Sequence, residues 1–356
     1  MTDQATLTID LTKIAENTRR VVEAMPGVDI VAVTKVCAGS PEVGAAMLAG
    51  GASALAESRL ENVARLRTAG ITAPIWLLRP APAGLADEVV RTTQVSLASE
   101  VMLVLALDRA AGQAGLRHSI VAMVDLGDLR EGMMPADLPA FLACVEAMEY
   151  IDVVGIGLTL SCYGGITPTA DNLGELVELA EAAETQLGRR LLISGGTSST
   201  IDAFIAGQMP ERIDNLRMGE AIVMGVSPLT RERVLELHTD ALTLSVSVIE
   251  CKVKPSKPRG IAAQDAFGNK PVFEDRGLRR RAICAIGRQD TPPEGLVPLD
   301  SRIRVLGASS DHLILDVEDL PAPLAVGESI EFRPGYSAAL ALCTSEYVRK
   351  VYVGGE

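Results

Sequence analysis

The stretch IVAVTK at residues 30–35 joins a buried-strand pattern to a single terminal cation. Its β-branched and small apolar residues predict a buried parallel strand, which would place Lys35 at the carboxyl end of that strand. Catalytic groups gather at that edge of the sheet in α/β folds. A lysine amine there can act as a covalent catalyst, although a solvated lysine that only caps the strand fits the same pattern.

Seven further apolar runs follow, and longer amphipathic stretches separate them. Together they predict eight strands, at residues 30–34, 52–56, 74–78, 94–98, 119–125, 153–159, 191–194 and 214–218. Eight strand–helix units over about 200 residues are typical of a (β/α)8 barrel, and a doubly wound sheet is the alternative. We therefore predict an α/β fold whose first domain is a TIM-like barrel at residues 10–230.

The pattern changes after about residue 230 to runs such as LTLSVSVIECKV, which Pro- and Gly-rich turns separate. These runs are typical of antiparallel strands. We predict a second, mostly antiparallel β domain at residues 231–356, and we expect the N-terminal strand within residues 1–9 to join it.

Composition excludes several classes of partner. The 356 residues carry a net charge of −13, which argues against nucleic acid, and the chain has no run of about 18 apolar residues that could span a membrane. Six scattered cysteines without a CxxC pair and only three histidines indicate neither a metal site nor a disulfide framework. The N-terminal residues lack the pattern of a secretory signal, so we expect a cytoplasmic protein.

A glycine pair followed by hydroxyl side chains comes after the seventh predicted strand, in SGGTSST at residues 194–200. Small residues let backbone N–H groups approach an anion, and a helix N-terminus adds a favourable field. In RMGEAIVMG, residues 217–225, Arg217 ends the eighth strand and Gly219 opens the loop. The loops after strands seven and eight often bind phosphate in barrels, so these segments predict a phosphate site. An N-capped loop is the alternative.

A phosphate at one side of the barrel mouth and Lys35 at another would bracket a small cofactor. Pyridoxal 5′-phosphate needs both groups, because donors hold its phosphate and a lysine binds its aldehyde as a Schiff base. Arg217 would lie between them and face the pyridine nitrogen. A guanidinium there disfavours protonation of that nitrogen and weakens the ring as an electron sink, which suits simple proton exchange at Cα.

Motifs along nearly the whole chain follow the order found in one family. They include ATLTIDLTKIAENTRRV, VAVTKVCAGS, VDLGDLREGM, SGGTSST, NLRMGEAIVMG and PGYSAALALCTSEYVRKVY. In this order the chain resembles the alanine racemase family, the fold type III pyridoxal phosphate enzymes, and most closely its ornithine racemase-like branch. The resemblance implies the same barrel and β domain, and a head-to-tail homodimer.

The resemblance also implies a role for each matching residue. Lys35 would be the Schiff-base lysine and one of two catalytic bases, and Arg217 would contact the pyridine nitrogen. The cofactor would be bound by Lys35, Ser194, Thr197, Ser198, Arg217, Gly219, Glu220 and Tyr336. Arg130 would orient the substrate carboxylate or the phenolic oxygen of the cofactor. We also expect Cys162, Ser310 and Asp311 to bind the substrate. A salt bridge at the barrel rim is the alternative for Arg130, and a core tyrosine is the alternative for Tyr336.

The chain departs from the family at the second catalytic base. Alanine racemases carry a tyrosine there, contributed by the partner subunit, whereas the matching residue in DAFG is Phe267, whose ring cannot transfer a proton. Another group must therefore face the substrate opposite Lys35, or the reaction differs. We predict Asp265 or Tyr336 in this role, and the other candidates are Cys162, Tyr163, Ser310 and Asp311.

The implied activity is that of a pyridoxal phosphate-dependent amino-acid racemase acting on a small-molecule substrate. Gly39 replaces a tyrosine of the family and leaves room for a substrate longer than alanine. Four acidic residues suggest a side chain that ends in an ammonium, as in ornithine or lysine: Glu220, Asp265, Asp290 and Asp311. The alternatives are a fold type III decarboxylase or aldolase, and a non-catalytic pyridoxal phosphate-binding regulator.

Overall fold

The computed structural model describes residues 5–261 and 263–355. The chain forms two compact units. The β unit consists of the described residues of Met1–Asp10 and Asp240–Gly354, and it contains the first strand, β1 (Thr6–Asp10). The barrel unit consists of Leu11–Thr239 and the described C-terminal residue Gly355.

The barrel unit contains eight parallel strands that close into one barrel. In chain order these are β2 (Asp29–Val33), β3 (Ala54–Glu57), β4 (Ile75–Leu77), β5 (Val95–Ala98), β6 (His118–Val124), β7 (Ile151–Leu158), β8 (Leu192–Thr197) and β9 (Asn215–Met218). Strand β9 pairs with β2 and so completes the circle. Each predicted strand overlaps one observed strand, and the predicted (β/α)8 barrel is confirmed.

Nine helices of this unit are described. They are α1 (Leu11–Ala24), α2 (Pro41–Ala49), α3 (Leu60–Thr68), α4 (Ala86–Thr92), α5 (Val101–Ala114), α6 (Leu138–Glu146), α7 (Ala170–Leu187), α8 (Thr200–Ile205) and α9 (Glu220–Met224). None of the described helices is both long and apolar enough to cross a membrane.

Apolar side chains at alternate strand positions pack together, because successive side chains on a strand point to opposite faces. One buried cluster joins residues of five neighbouring strands: Val31, Val33, Ala54, Ala56, Trp76, Leu97, Val121 and Met123. Such a core supports the carboxyl ends of the strands, where loops can carry chemistry without carrying the fold.

The two units divide after Thr239, nine residues later than the boundary predicted after residue 230. Hydrogen bonds to α1 explain the difference. The buried Asn17 side chain donates to the backbone oxygens of Ile222 and His238, at 2.8 and 2.9 Å, and its oxygen accepts the His238 N–H at 2.7 Å. The segment that follows α9 is therefore tied to the barrel, although its sequence shows no barrel pattern.

The β unit is built around one long strand, and its pairs are antiparallel apart from that of β1 with β16. Its elements after β1 are β10 (Leu242–Pro255), β11 (Leu278–Cys284), β12 (Leu296–Pro298), β13 (Arg304–Ala308), β14 (Leu313–Asp316), β15 (Ser329–Pro334), α10 (Tyr336–Thr344) and β16 (Arg349–Val353). The strand order is β12-β15-β10-β11-β14-β13, and β1 pairs with both β10 and β16. This arrangement agrees with the predicted antiparallel domain.

His118 makes the stability of the barrel depend on pH. It begins β6, is 1% exposed, and its Nε2 lies 2.8 Å from the Ser96 hydroxyl. Burial lowers its pKa from 6.5 to about 4. The unfolded chain therefore binds a proton below pH 6.5, whereas the folded chain binds it only near pH 4. The contribution of His118 to the free energy of unfolding is thus fully present above pH 6.5 and is lost as the pH falls towards 4.

We expect His118 to remove about 2 kcal/mol of unfolding free energy between pH 7 and pH 5. Urea unfolding at the two pH values measures this loss, and the His118→Gln variant should lack most of it. His312 is exposed, so the matched variant His312→Gln should keep the full dependence. An equal pH dependence in wild type and His118→Gln would contradict the assignment.

Candidate active site

Lys35 lies at the carboxyl end of β2, in a short 3₁₀ turn (Lys35–Cys37), and is half-buried. Its strand runs between β9 and β3, with Val31 opposite Arg217 and Val33 opposite Ala56. The predicted catalytic lysine, Lys35, therefore lies at the carboxyl end of the barrel, next to the strand that contains Arg217.

The loops after β8 and β9 are joined by one hydroxyl. The Ser198 Oγ accepts the N–H groups of Gly219 and Ala221, at 3.2 and 3.1 Å. A Cβ atom at Gly219 would lie 2.9 Å from both the Cβ and the carbonyl oxygen of Val33, so only glycine permits this approach to β2. The two predicted phosphate segments thus meet beside the strand that ends in Lys35.

Arg217 is fully buried, and three protein oxygens accept hydrogen bonds from its guanidinium group. It donates to the Ser194 Oγ, to the Leu158 carbonyl oxygen at 2.7 Å and to the Thr159 Oγ1 at 3.1 Å. Ser194 in turn donates to the Asn215 Oδ1 at 2.6 Å, so its hydroxyl orients Arg217. Burial lowers the pKa of Arg217 to about 10, and the group remains a cation at neutral pH.

The loop after β7 is held by a buried carboxylate from the loop after β6. Asp128 accepts the N–H groups of Cys162, Tyr163 and Gly164, at 3.1, 3.0 and 3.1 Å. A Cβ atom at Gly164 would lie 2.8 Å from the Asp128 carbonyl oxygen, so glycine is required there too. The backbone of this loop is anchored while the Tyr163 side chain stays 77% exposed.

Arg130 and Cys162 belong to the surroundings of Arg217. The pKa of Arg217 responds first to burial and then to its neighbours Glu131, Arg130 and Cys162. Arg130 and Glu131 form an ion pair at 2.8 Å. The loops after β6 and β7 therefore bring both predicted substrate contacts of the barrel unit close to the buried arginine.

Two acidic residues flank Lys35. Glu57, the last residue of β3, is fully buried, and burial raises its pKa against the opposing effect of its hydrogen bonds. Glu220 begins α9 and pairs with Arg231, and burial raises its pKa as well. Lys35 stabilises the ionised form of both. The sequence reading missed Glu57 because its predicted strand ended at Ala56, although a charged residue directly after an apolar run was the available signal.

Asp265 forms the turn that contains Phe267. Its Oδ1 accepts the N–H groups of Phe267 and Asn269, at 2.9 and 2.8 Å. The Asn269 N–H contributes most to lowering the pKa of Asp265, so the carboxylate is ionised. The Arg288 Cζ lies 5.3 Å from the centroid of the Phe267 ring, a cation–π contact.

The remaining β-unit candidates lie at loops and at a helix start. Ser310 donates to the Asp311 Oδ2 at 2.7 Å, and both residues are exposed. Tyr336 is the first residue of α10 and is half-buried. The Asp290 Oδ1 accepts from the Ser345 Oγ at 2.7 Å, so Asp290 holds the residue that ends this helix.

The barrel mouth has the groups that pyridoxal 5′-phosphate requires. Lys35 could supply an amine for its aldehyde, and the Arg217 cation could supply a donor for its ring nitrogen. Thr197 and Ser198, beside the close approach at Gly219, could supply hydroxyl donors for its phosphate. No cluster of three metal-ligating side chains occurs among the residues described here.

This fold and this site define a class, the (β/α)8 barrels that carry a lysine at the carboxyl face. The sequence matches the family described as Alanine racemase, N-terminal domain, over residues 9–228. The chain belongs to the alanine racemase family. It is a pyridoxal 5′-phosphate-dependent amino-acid racemase.

Two curated relatives are similar over most of their length. The ornithine racemase of Acetoanaerobium sticklandii is 42% identical over 297 residues, which cover 83% of this chain and 84% of that one. The lysine racemase of Thermotoga maritima is 40% identical over 354 residues, which cover 97% and 98%. A solved alanine racemase from Bartonella henselae with covalently bound pyridoxal phosphate has the same fold, at 16% identity and a TM-score of 0.74 over 98% of this chain.

Proposed function

We propose that this racemase interconverts the L and D forms of a basic amino acid, ornithine or lysine. The observation that carries the proposal is the 40% identity to a lysine racemase over 97% of the chain, together with 42% identity to an ornithine racemase. Both named substrates end in an ammonium. The room expected at Gly39 gives the proposal no support, because a Cβ atom at Gly39 would lie 2.6 Å from the Asn62 Cβ and that space is filled.

The acidic residues differ in their freedom to bind that ammonium. Glu220 pairs with Arg231, Asp290 accepts from Ser345, and Asp265 accepts backbone N–H groups. Asp311 forms no ion pair with any described residue and accepts only from the neighbouring Ser310 hydroxyl. We therefore assign recognition of the substrate ammonium to Asp311, because an unpaired carboxylate is the strongest partner for a cation.

Racemisation needs a proton acceptor and a proton donor on opposite faces of Cα. The bound cofactor supplies an electron sink for the electron pair left at Cα. Lys35 accepts the proton on one face, and Asp265 or Tyr336 serves the other. The Tyr336→Phe and Asp265→Asn variants decide between these two, since loss of the opposing group stops racemisation while Lys35 still exchanges the Cα proton of one enantiomer with solvent. If both variants racemise normally, neither residue is the opposing base.

The geometry of the barrel mouth supports the other roles in this proposal. Arg217 holds the ring nitrogen, the loops after β8 and β9 hold the phosphate through Thr197, Ser198 and Gly219, and Arg130 orients the substrate carboxylate. The enzyme works as a head-to-tail homodimer, which the family supports. It works in the cytoplasm, which is supported by its six cysteines, all of them free thiols. Sedimentation velocity tests the dimer, and a monomer at assay concentration would refute it.

A substrate screen tests the proposed specificity. Chiral chromatography of L- and D-ornithine, lysine, alanine and serine, with added pyridoxal phosphate, should give the highest kcat/KM for ornithine or lysine. The Asp311→Asn variant should lose about 10-fold or more in kcat/KM for the basic substrates and little for alanine, because only the former carry the ammonium. Equal losses for all four amino acids would remove Asp311 from substrate recognition, and a preference for alanine would refute the proposal.

A further inference from the structure

Glu57 is a buried acid that none of the roles above uses. Its side chain is 0% exposed at the end of β3, and no arginine, lysine or histidine among the described residues forms an ion pair with it. Burial raises the pKa of Glu57, so its ionised form carries a cost in folding free energy. Proteins seldom keep an unpaired acid in such a place without a functional reason.

Neutral donors nevertheless support the carboxylate. It accepts from the Thr34 Oγ1 at 2.6 Å, from the Ser58 N–H at 3.0 Å and from the Asn62 Nδ2 at 3.0 Å. Each of these hydrogen bonds lowers the pKa of Glu57 and so opposes the effect of burial. The Glu57 carboxylate is therefore shielded from water, while three hydrogen-bond donors stabilise its ionised form.

The charge next to this acid is that of Lys35. The strongest interaction of Glu57 with a charged residue is with Lys35, and Thr34, which donates to Glu57, directly precedes Lys35 in the chain. From α9, Glu220 also interacts with Lys35, but its charge is shared with Arg231. Of these two flanking acids, Glu57 is therefore the one that forms no ion pair with another cation among residues 5–261 and 263–355.

We propose that Glu57 is a positioning residue of the reaction, whose carboxylate stabilises the positive charge that the Lys35 Nζ carries after it has accepted the Cα proton. The inference rests on the proposed function. In this step the C–H bond of the substrate breaks, its proton forms a bond to Nζ, and the electron pair stays with the substrate. Glu57 itself gains no proton and acts only through its charge.

The Glu57→Gln variant separates this role from a structural one. Glutamine is nearly isosteric and can keep the Thr34, Ser58 and Asn62 partners, but it has no charge. We expect kcat to fall by about 10-fold to 100-fold, with KM within about twofold of wild type. The folded pKa of Glu57 is raised above its unfolded value of 4.5, so ionisation of Glu57 makes the folded protein less stable as the pH rises. Glutamine does not ionise, so at pH 8 the variant should melt at or above the wild-type temperature.

Two comparisons complete the test. Glu61→Gln changes an exposed glutamate of α3 and should alter neither kcat nor the melting temperature. Thr34→Val removes a hydrogen bond that lowers the pKa of Glu57, so the acid limb of the kcat–pH profile should move to higher pH. This second variant keeps the test decisive if Glu57→Gln does not fold.

The inference is overturned if kcat of Glu57→Gln stays within about twofold of wild type. It is also overturned if the loss of kcat comes with a parallel drop in melting temperature while Thr34→Val leaves the acid limb unmoved. If the wild-type enzyme racemises no amino acid, the proposed function is refuted instead. Wild-type activity is therefore measured before any variant is compared.

Discussion

The Lys35→Ala variant is expected to lose at least about 10³-fold in kcat, because alanine has no amine to hold the cofactor or to accept the Cα proton. No second lysine of the barrel unit can replace it. Residues 11–239 contain only two lysines, Lys13 and Lys35, and Lys13 lies on the helix α1. The variant should also lose the visible absorption of the bound cofactor, which a spectrum of the purified protein measures.

A surface lysine gives the matched control. Lys257 is exposed in the β unit, so Lys257→Ala should keep both the activity and the visible absorption. Circular dichroism checks that Lys35→Ala is folded, as expected for a half-buried side chain beyond the end of its strand. A folded Lys35→Ala enzyme with more than about a tenth of wild-type activity would contradict the role of Lys35 as a catalytic base.

The Arg217→Ala variant is expected to lose both stability and activity. Removing one of the largest fully buried side chains leaves a cavity, and it leaves Leu158, Thr159 and Ser194 without their shared donor. We expect a loss of about 3 kcal/mol in the free energy of unfolding, measured by urea denaturation. Under conditions where the variant is folded, kcat should fall by about 10²-fold, because a preorganised cation at the cofactor ring is lost.

Arg189 provides the comparison for an exposed arginine. It forms a pair of hydrogen bonds with Glu146 at 2.8 and 2.9 Å, at a partly exposed position of the barrel unit. Arg189→Ala should therefore cost less than about 1 kcal/mol and leave kcat unchanged. Equal losses of stability in the two variants would show that the buried network around Arg217 contributes no more than a surface pair.

The barrel could be predicted because its strands are buried on both faces. Such strands appear as continuous apolar runs, and the eight runs of this chain give the barrel its order. Strand ends were less predictable. Strand β8 continues to Thr197 past Gly195 and Gly196, through an irregular pairing with β9, whereas a glycine pair in the sequence suggested that the strand had ended.

The parts of the site that could not be predicted depend on contacts between distant residues. Asp128 accepts from the loop at Cys162, 34 residues further along, and no local pattern announces that contact. Glu57 terminates an apolar run and so looks like a solvated strand end, yet β3 keeps it inside the sheet and buried. In both cases the folded barrel removes an acid from water, and only the assembled structure shows which groups that acid contacts.

Incorporation of deuterium at Cα tests the central claim most directly. Wild-type enzyme with pyridoxal phosphate is incubated in D₂O with L-ornithine or L-lysine, and separately with the D forms, and the recovered amino acid is resolved into its enantiomers. A racemase with Lys35 on one face produces both enantiomers from either one, carries deuterium at Cα in the product, and releases neither carbon dioxide nor an aldehyde. Recovery of only the starting enantiomer, or release of carbon dioxide, would contradict it.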